Sequence, residues 1–156
     1  MSYYIDWLVK DRVLLTTFSG IITLDEINEF IDSLFMASRN GKPPVHHISN
    51  NLGIQGIEFS LKALQTLTMA KQMTYGMGWQ IDVNRNTMLE LVSSIASQSS
   101  GARTRTFTTA DEAITFLQEC DPTLAKLVWR TELIKEDETL PLKKNVMSQP
   151  STTQKR

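Results

Sequence analysis

Between Gly78 and Gly101 the chain reads GWQIDVNRNTMLELVSSIASQSSG, and this stretch restricts the fold more than any other. Trp79, Ile81 and Val83 alternate with Gln80, Asp82 and Asn84, the two-residue period of a half-buried strand. After Arg85 and Asn86 the period lengthens. Thr87 and Glu90 have the spacing of a capping box, and Met88, Leu91, Val92 and Ile95 follow as one helical stripe. Gly101 stands where a left-handed residue ends a helix.

The rest of the chain repeats this unit. Tyr3 to Lys10 alternates, Asp11-Arg12 makes a turn, and Val13 to Ile22 is a second strand, giving an antiparallel hairpin. The second strand is apolar on both faces, as a strand inside a sheet must be, and Gly20 marks a bulge or a point of crowding. Thr23 and Glu26 form a second capping box, and Leu24, Ile27, Phe30, Ile31, Leu34 and Phe35 supply a buried stripe. Val45 to Ser49 reads as a short third strand and residues 50–58, with two glycines, as a loop. Ser60 caps a second helix, carried by Leu61, Leu64, Leu67 and Ala70 and ending near Gly76. Arg103 to Thr108 is a fifth strand. Thr109 and Glu112 then open a helix that buries Ala113, Ile114, Phe116 and Leu117.

The order is therefore β-β-α-β-α-β-α-β-α. It predicts an α/β fold with a mostly parallel five-stranded sheet, right-handed crossovers and one antiparallel strand at the start. Residues 1–121 form this domain. Residues 122–136 are an additional helical segment around Leu124, Leu127 and Val128, and 137–156, rich in Pro, Ser, Thr, Gln and Lys, read as a disordered tail. The apolar side of 122–134, with Trp129 and Leu133, has to be covered, either by its own sheet or by a second copy in a homodimer.

Composition excludes several classes of function. A net charge of −1 argues against a nucleic-acid binder, and no apolar run reaches the roughly 20 residues that span a bilayer. The N-terminus, MSYYIDWLVKDR, lacks a signal-peptide layout, and the single Cys120 suits a reducing compartment, so a cytoplasmic location is expected. His46 and His47 are adjacent on a strand and point to opposite faces, which does not favour one shared metal ion. Cys120 lies between Glu119 and Asp121, which do not activate a thiol, and no Lys follows Gly53 and Gly56 as a phosphate loop requires. No catalytic residue, metal or cofactor is expected.

Over residues 3–120 the order of elements resembles the STAS domain of bacterial anti-sigma-factor antagonists and the SpoIIAA-like fold. The likeness rests on VLLTTFSGIITLDEINEFI, on PVHHISNN, and on GWQIDVNRNTMLELV leading to GARTRTFTTADEAITFL. It implies a non-enzymatic regulatory module that docks a protein partner, such as a kinase or an anti-sigma-like factor, or itself. It also implies a phosphorylatable serine at the start of the second helix. Glu58-Phe59-Ser60-Leu61 stands where that family has an Asp-Ser-Ser-Gly-like run, so Ser60 is either that phosphosite or simply an N-cap. The alternative is a small-molecule or lipid-binding domain, because SpoIIAA-like folds also resemble Sec14-type domains.

Ligands of open parallel sheets collect at the carboxyl ends of strands. The corners expected there are Ser49-Asn50-Asn51 and Asn84-Arg85-Asn86, rich in amides and with Arg85 beside a helix start. These six residues are the candidate partner- or ligand-binding set. Gln80 and Asp82 share one polar side of their strand, and Arg103 and Arg105 share one side of the last, which predicts a solvated sheet face.

Overall fold

In the computed structural model, residues 2–71, 77–134 and 145–146 are described. The elements are β1 (Ser2–Val9), β2 (Val13–Thr23), α1 (Leu24–Arg39), β3 (Val45–Glu58), α2 (Leu61–Ala70), β4 (Met77–Val83), α3 (Thr87–Ser100), β5 (Arg103–Phe107) and α4 (Ala110–Cys120). Two 3-10 turns, Pro122–Lys126 and Thr131–Leu133, and the two-residue strand β6 (Asn145–Val146) complete the order. The strands lie as β5-β4-β3-β2-β1, with β6 added parallel to β1 at the edge. The β1–β2 pair is antiparallel and the remaining pairs are parallel, as expected. Apart from β6, the expected tail lies outside the described residues.

Each side of the sheet has its own core. On one, Val13, Leu15, Ile48, Ile81 and Val83 pack with Ala113 and Leu117 of α4 and with Leu124. On the other, Tyr3, Leu14, Phe18 and Ile22 pack with Leu34 and Ala37 of α1. Of the stripes expected of α1 and α4, Ile31, Leu34, Ala113 and Leu117 are buried, and Leu24, Ile27, Phe30, Phe35, Ile114 and Phe116 are half-buried. Gly20 has a φ of 79° and sits at an irregularity in the β2–β3 register, which is the bulge.

Four local readings are corrected. First, β3 does not stop at Ser49 but runs on to Glu58, through the residues expected to be a loop. Its partner β2 also continues, with Ser19 opposite Gly53 and Thr23 opposite Glu58. A Cβ on Gly53 would come within 2.7 Å of the Phe18 carbonyl, so this glycine admits a neighbouring backbone rather than marking a turn. Second, α2 closes at Ala70, short of Gly76.

Third, the N-cap of α3 is Asn86, whose side chain accepts from the Met88 amide at 2.8 Å, and not Thr87. Thr23 does cap α1 with the full reciprocal box. Thr23→Ala and Asn86→Ala are therefore each expected to lower stability by roughly 0.5–2 kcal/mol, and Thr87→Ala by less. Urea denaturation of the three variants checks this; an equal loss in Thr87→Ala would return the cap to that residue.

Fourth, residues 122–134 are not one α-helix. Pro122 starts a 3-10 turn capped by Asp121, after which the chain crosses the sheet. The Arg130 amide donates to the Leu8 carbonyl at 2.8 Å, and Leu124 is fully buried, with Trp129, Leu133 and Ile134 packed on the same core. The sheet covers Leu124, Trp129, Leu133 and Ile134 of this segment, while Leu127 and Val128 stand exposed, at 39% and 81%.

His46 and His47 point to opposite faces. His46 Nδ1 accepts the Trp79 amide at 3.0 Å, so Nε2 carries the proton and donates to Asp121 at 3.3 Å. Asp121 also holds Arg12 at 2.6 Å, fastening the end of α4 to the sheet. Burial pulls the His46 pKa below its ordinary value, more than the Asp121 carboxylate lifts it.

Candidate functional site

Parallel pairing sets His47 beside Gln80 and Gln80 beside Thr104, and it sets Thr16 beside Ser49 and Ser49 beside Asp82. Neighbours in register share a face, so two rows of polar side chains cross the sheet on the side that carries α1. Asn51 extends the second row along β3. The face expected to be solvated is instead roofed by α1, α2 and α3, and a cavity of about 180 Å³ lies between.

The cavity has apolar walls and a polar floor. Phe18 and Ile22 of β2, Phe30 and Leu34 of α1, Ile54 and Ile57 of β3, and Leu64 of α2 contribute to the walls. On the α3 side Leu89, Val92, Ser93 and Ala96 face inward at helical spacing. This face differs from the expected stripe: Met88 and Leu91 are about half exposed, at 49% and 45%. The expected stripe followed large apolar residues, whereas α3 turns Ser93 and Ala96 inward beside Leu89 and Val92, and the small size of these two leaves the space open.

The floor is held by specific hydrogen bonds. His47 Nδ1 lies 2.9 Å from Gln80 Oε1, and Nε2 lies 2.8 Å from Thr16 Oγ1. A carbonyl oxygen only accepts, so Nδ1 carries the proton and Nε2 accepts from the Thr16 hydroxyl. The Phe30 ring centroid lies 6.1 Å from that of His47, so apolar wall and polar floor meet there. Burial lowers the His47 pKa to about 4, and the imidazole is neutral at physiological pH. In the second row Ser49 Oγ donates to Asn51 Oδ1 at 2.8 Å, and Asn51 Nδ2 donates to Asp82 Oδ1 at 3.3 Å. Asp82 also has a hydrogen bond with Ser93. Burial raises the Asp82 pKa to about 6 against these two hydrogen bonds, which hold it down.

The six candidate residues separate into different places. Ser49 and Asn51 reach the cavity, although from mid-strand and not from a corner. Asn50 points to the opposite face, buried, with its Oδ1 accepting the Leu52 amide at 3.2 Å. Asn84 is buried, and its side-chain nitrogen and oxygen have no hydrogen-bond partner among the described residues. Arg85 is exposed and its Nε donates to the Thr108 carbonyl at 3.2 Å, while Asn86 is occupied as a cap. The structure thus gathers Ser49 and Asn51 around Asp82 rather than around Arg85. Ser60 is the exposed N-cap of α2 and accepts from the Ala63 amide at 3.1 Å.

His47, Asp82 and Ser93 were not among the residues expected to bind. A signal for two of them was present: His47, Ser49 and Asn51 fall on alternate positions of one strand, and Gln80 and Asp82 on alternate positions of the next. Two neighbouring inner strands with polar residues in matching positions, in a sheet that helices must cover on both faces, mark a buried polar floor. On the other face Arg103 and Arg105 lie over Trp79 and Phe116, with guanidinium-to-ring distances of 5.0 and 4.8 Å.

No family model matches the sequence, and no curated protein matches it. Among solved structures the fold is similar to that of an uncharacterized DUF3478-family protein with a SpoIIAA-like fold from Shewanella loihica PV-4. The TM-score is 0.53 at 12% identity, and the match covers 74% of this chain and 94% of that one. The fold is therefore the SpoIIAA-like fold expected from the order of elements. Among the described residues, no helix is long and apolar enough to cross a membrane.

Proposed function

We propose that this chain is a ligand-binding module of SpoIIAA-like fold that takes a small amphipathic molecule between its sheet and helices α1 to α3. The observation that carries this reading is the cavity itself, apolar in its walls and ordered by hydrogen bonds on its floor. A few placed polar groups in an apolar recess, two of them with displaced pKa values, are the usual marks of a binding site. Size narrows the ligand. A cavity of about 150 Å³ is enough for benzene, so about 180 Å³ suits an apolar body of one ring. The role read here is binding, with both nitrogens of His47 engaged in ordering the floor.

Screening single-ring fragments by thermal shift tests the reading. Hits are expected with the wild-type chain and should vanish in Ala96→Phe, which fills the inward side of α3. Hits that persist in Ala96→Phe would place binding elsewhere and overturn the proposal.

The second reading is docking of a protein partner, a kinase or an anti-sigma-like factor. Met88 and Leu91 favour it, standing exposed on α3 just after Arg85. The two readings are compatible, because α3 carries cavity residues on one side and these two on the other.

A further inference from the structure

The charges and hydrogen bonds of the cavity select among the one-ring ligands that fit it. We propose that the molecule bound there is a compact primary amine, held with its ammonium group on the Asp82 carboxylate and its ring among the aromatic walls. This rests on the ligand-binding reading above and goes on to name the head group.

Three observations converge on a cation. Asp82 is the one carboxylate among the lining residues, and no Lys or Arg pairs with it among the described residues. Lys71 is the one lining cation, and it is already held by Asp32 at 2.6 Å. The site therefore has one uncompensated negative charge, and an ammonium group inside would neutralise it.

The hydrogen-bond inventory points the same way. The floor's donors are largely committed to one another: His47 N–H to Gln80, the Thr16 hydroxyl to His47, the Ser49 hydroxyl to Asn51, and an Asn51 N–H to Asp82. A carboxylate ligand would find the Gln80 amide but would also face Asp82 directly. An ammonium group carries three donors, and Asp82, with four lone-pair sites, accepts two bonds among the described residues, from Asn51 and Ser93. Phe18, Phe30 and Phe59 line the walls, which suits a ring and the edge of a cation alike.

The test uses three probes that share one apolar body: 2-phenylethylamine, 2-phenylethanol and phenylacetate. Their affinities are measured by calorimetry on the full chain, on Asp82→Asn and on Ala96→Phe. The wild type is expected to bind the amine about tenfold or more tightly than the alcohol, and the acid least. In Asp82→Asn, which keeps the shape but not the charge, the amine-to-alcohol ratio should fall to about one, and Ala96→Phe should bind none. Equal binding of amine and alcohol by the wild type, or preference for the acid, would overturn the amine assignment while leaving the cavity as a binding site. A preference for the amine that survives in Asp82→Asn would also overturn it. If none of the three binds the wild type, or if binding persists in Ala96→Phe, the assignment and the ligand-binding reading fall together.

Discussion

Asp82→Asn is expected to make the protein more stable at pH 7.5, by on the order of 3 kcal/mol, and to change little at pH 4. The folded carboxyl titrates at about 6, against an ordinary value of 3.8. A pKa raised by folding means that the fold prefers the protonated acid. That contribution is complete below pH 3.8 and is lost as the pH rises through 6, so at neutral pH the ionised group is a cost that Asn removes. His47 has the opposite sign. Its pKa is lowered on folding from 6.5 to about 4, so its contribution is complete above pH 6.5 and is lost as the pH falls through 4. Between pH 6 and 4 the two slopes oppose each other in the wild type. Urea unfolding from pH 4 to 8 should therefore show Asp82→Asn tilting the profile toward lower stability in acid. His47→Asn, whatever its constant cost from broken hydrogen bonds, should tilt it the other way, by up to about 3 kcal/mol. Profiles that stay parallel to the wild type would show that neither group is desolvated as the fold implies.

The second large effect is expected at Leu124. Leu124→Ala should cost roughly 2–5 kcal/mol, the price of a cavity in a closed core, whereas Val128→Ala should change almost nothing. The two residues are four apart on one segment, but Leu124 is fully buried in the core that holds Leu117 and Val83, and Val128 stands in solvent. Chemical denaturation of both variants checks the contrast. Equal, small effects would mean that residues 122–134 rest on the domain without belonging to its core.

Much of this architecture was readable from residue patterns, because each strand-to-helix junction carries its own chemistry. Thr23, Ser60 and Thr109 all cap helices where expected, and Gly101 closes α3 with a φ of 71°. The errors came where a local signal had two meanings. Gly53 and Gly56 suggested a loop, but in β3 they belong to a strand whose conformation is enforced by β2 alongside, which no local window contains. The same lengthening moved Ser49 and Asn51 from a supposed corner into the middle of the sheet. The cavity was less legible for another reason. Ser93 and Ala96 are unremarkable on a helix, and Asp82 looked like the outer side of a strand. Only the pairing that sets Ser49 beside Asp82 and the placement of α3 over both make them one site.

The small inward side chains of α3 also have a mechanical consequence. Loosely packed volume is lost when a chain unfolds, so hydrostatic pressure favours the unfolded protein. The two sides of the sheet should not share this weakness equally. The α4 side is packed with side chains, while the side under α2 and α3 holds the partly open recess and is the more compressible half. A molecule seated in the cavity removes that volume difference as well as filling the space. Occupancy would then stiffen the protein against compression without altering a single contact in the opposite core.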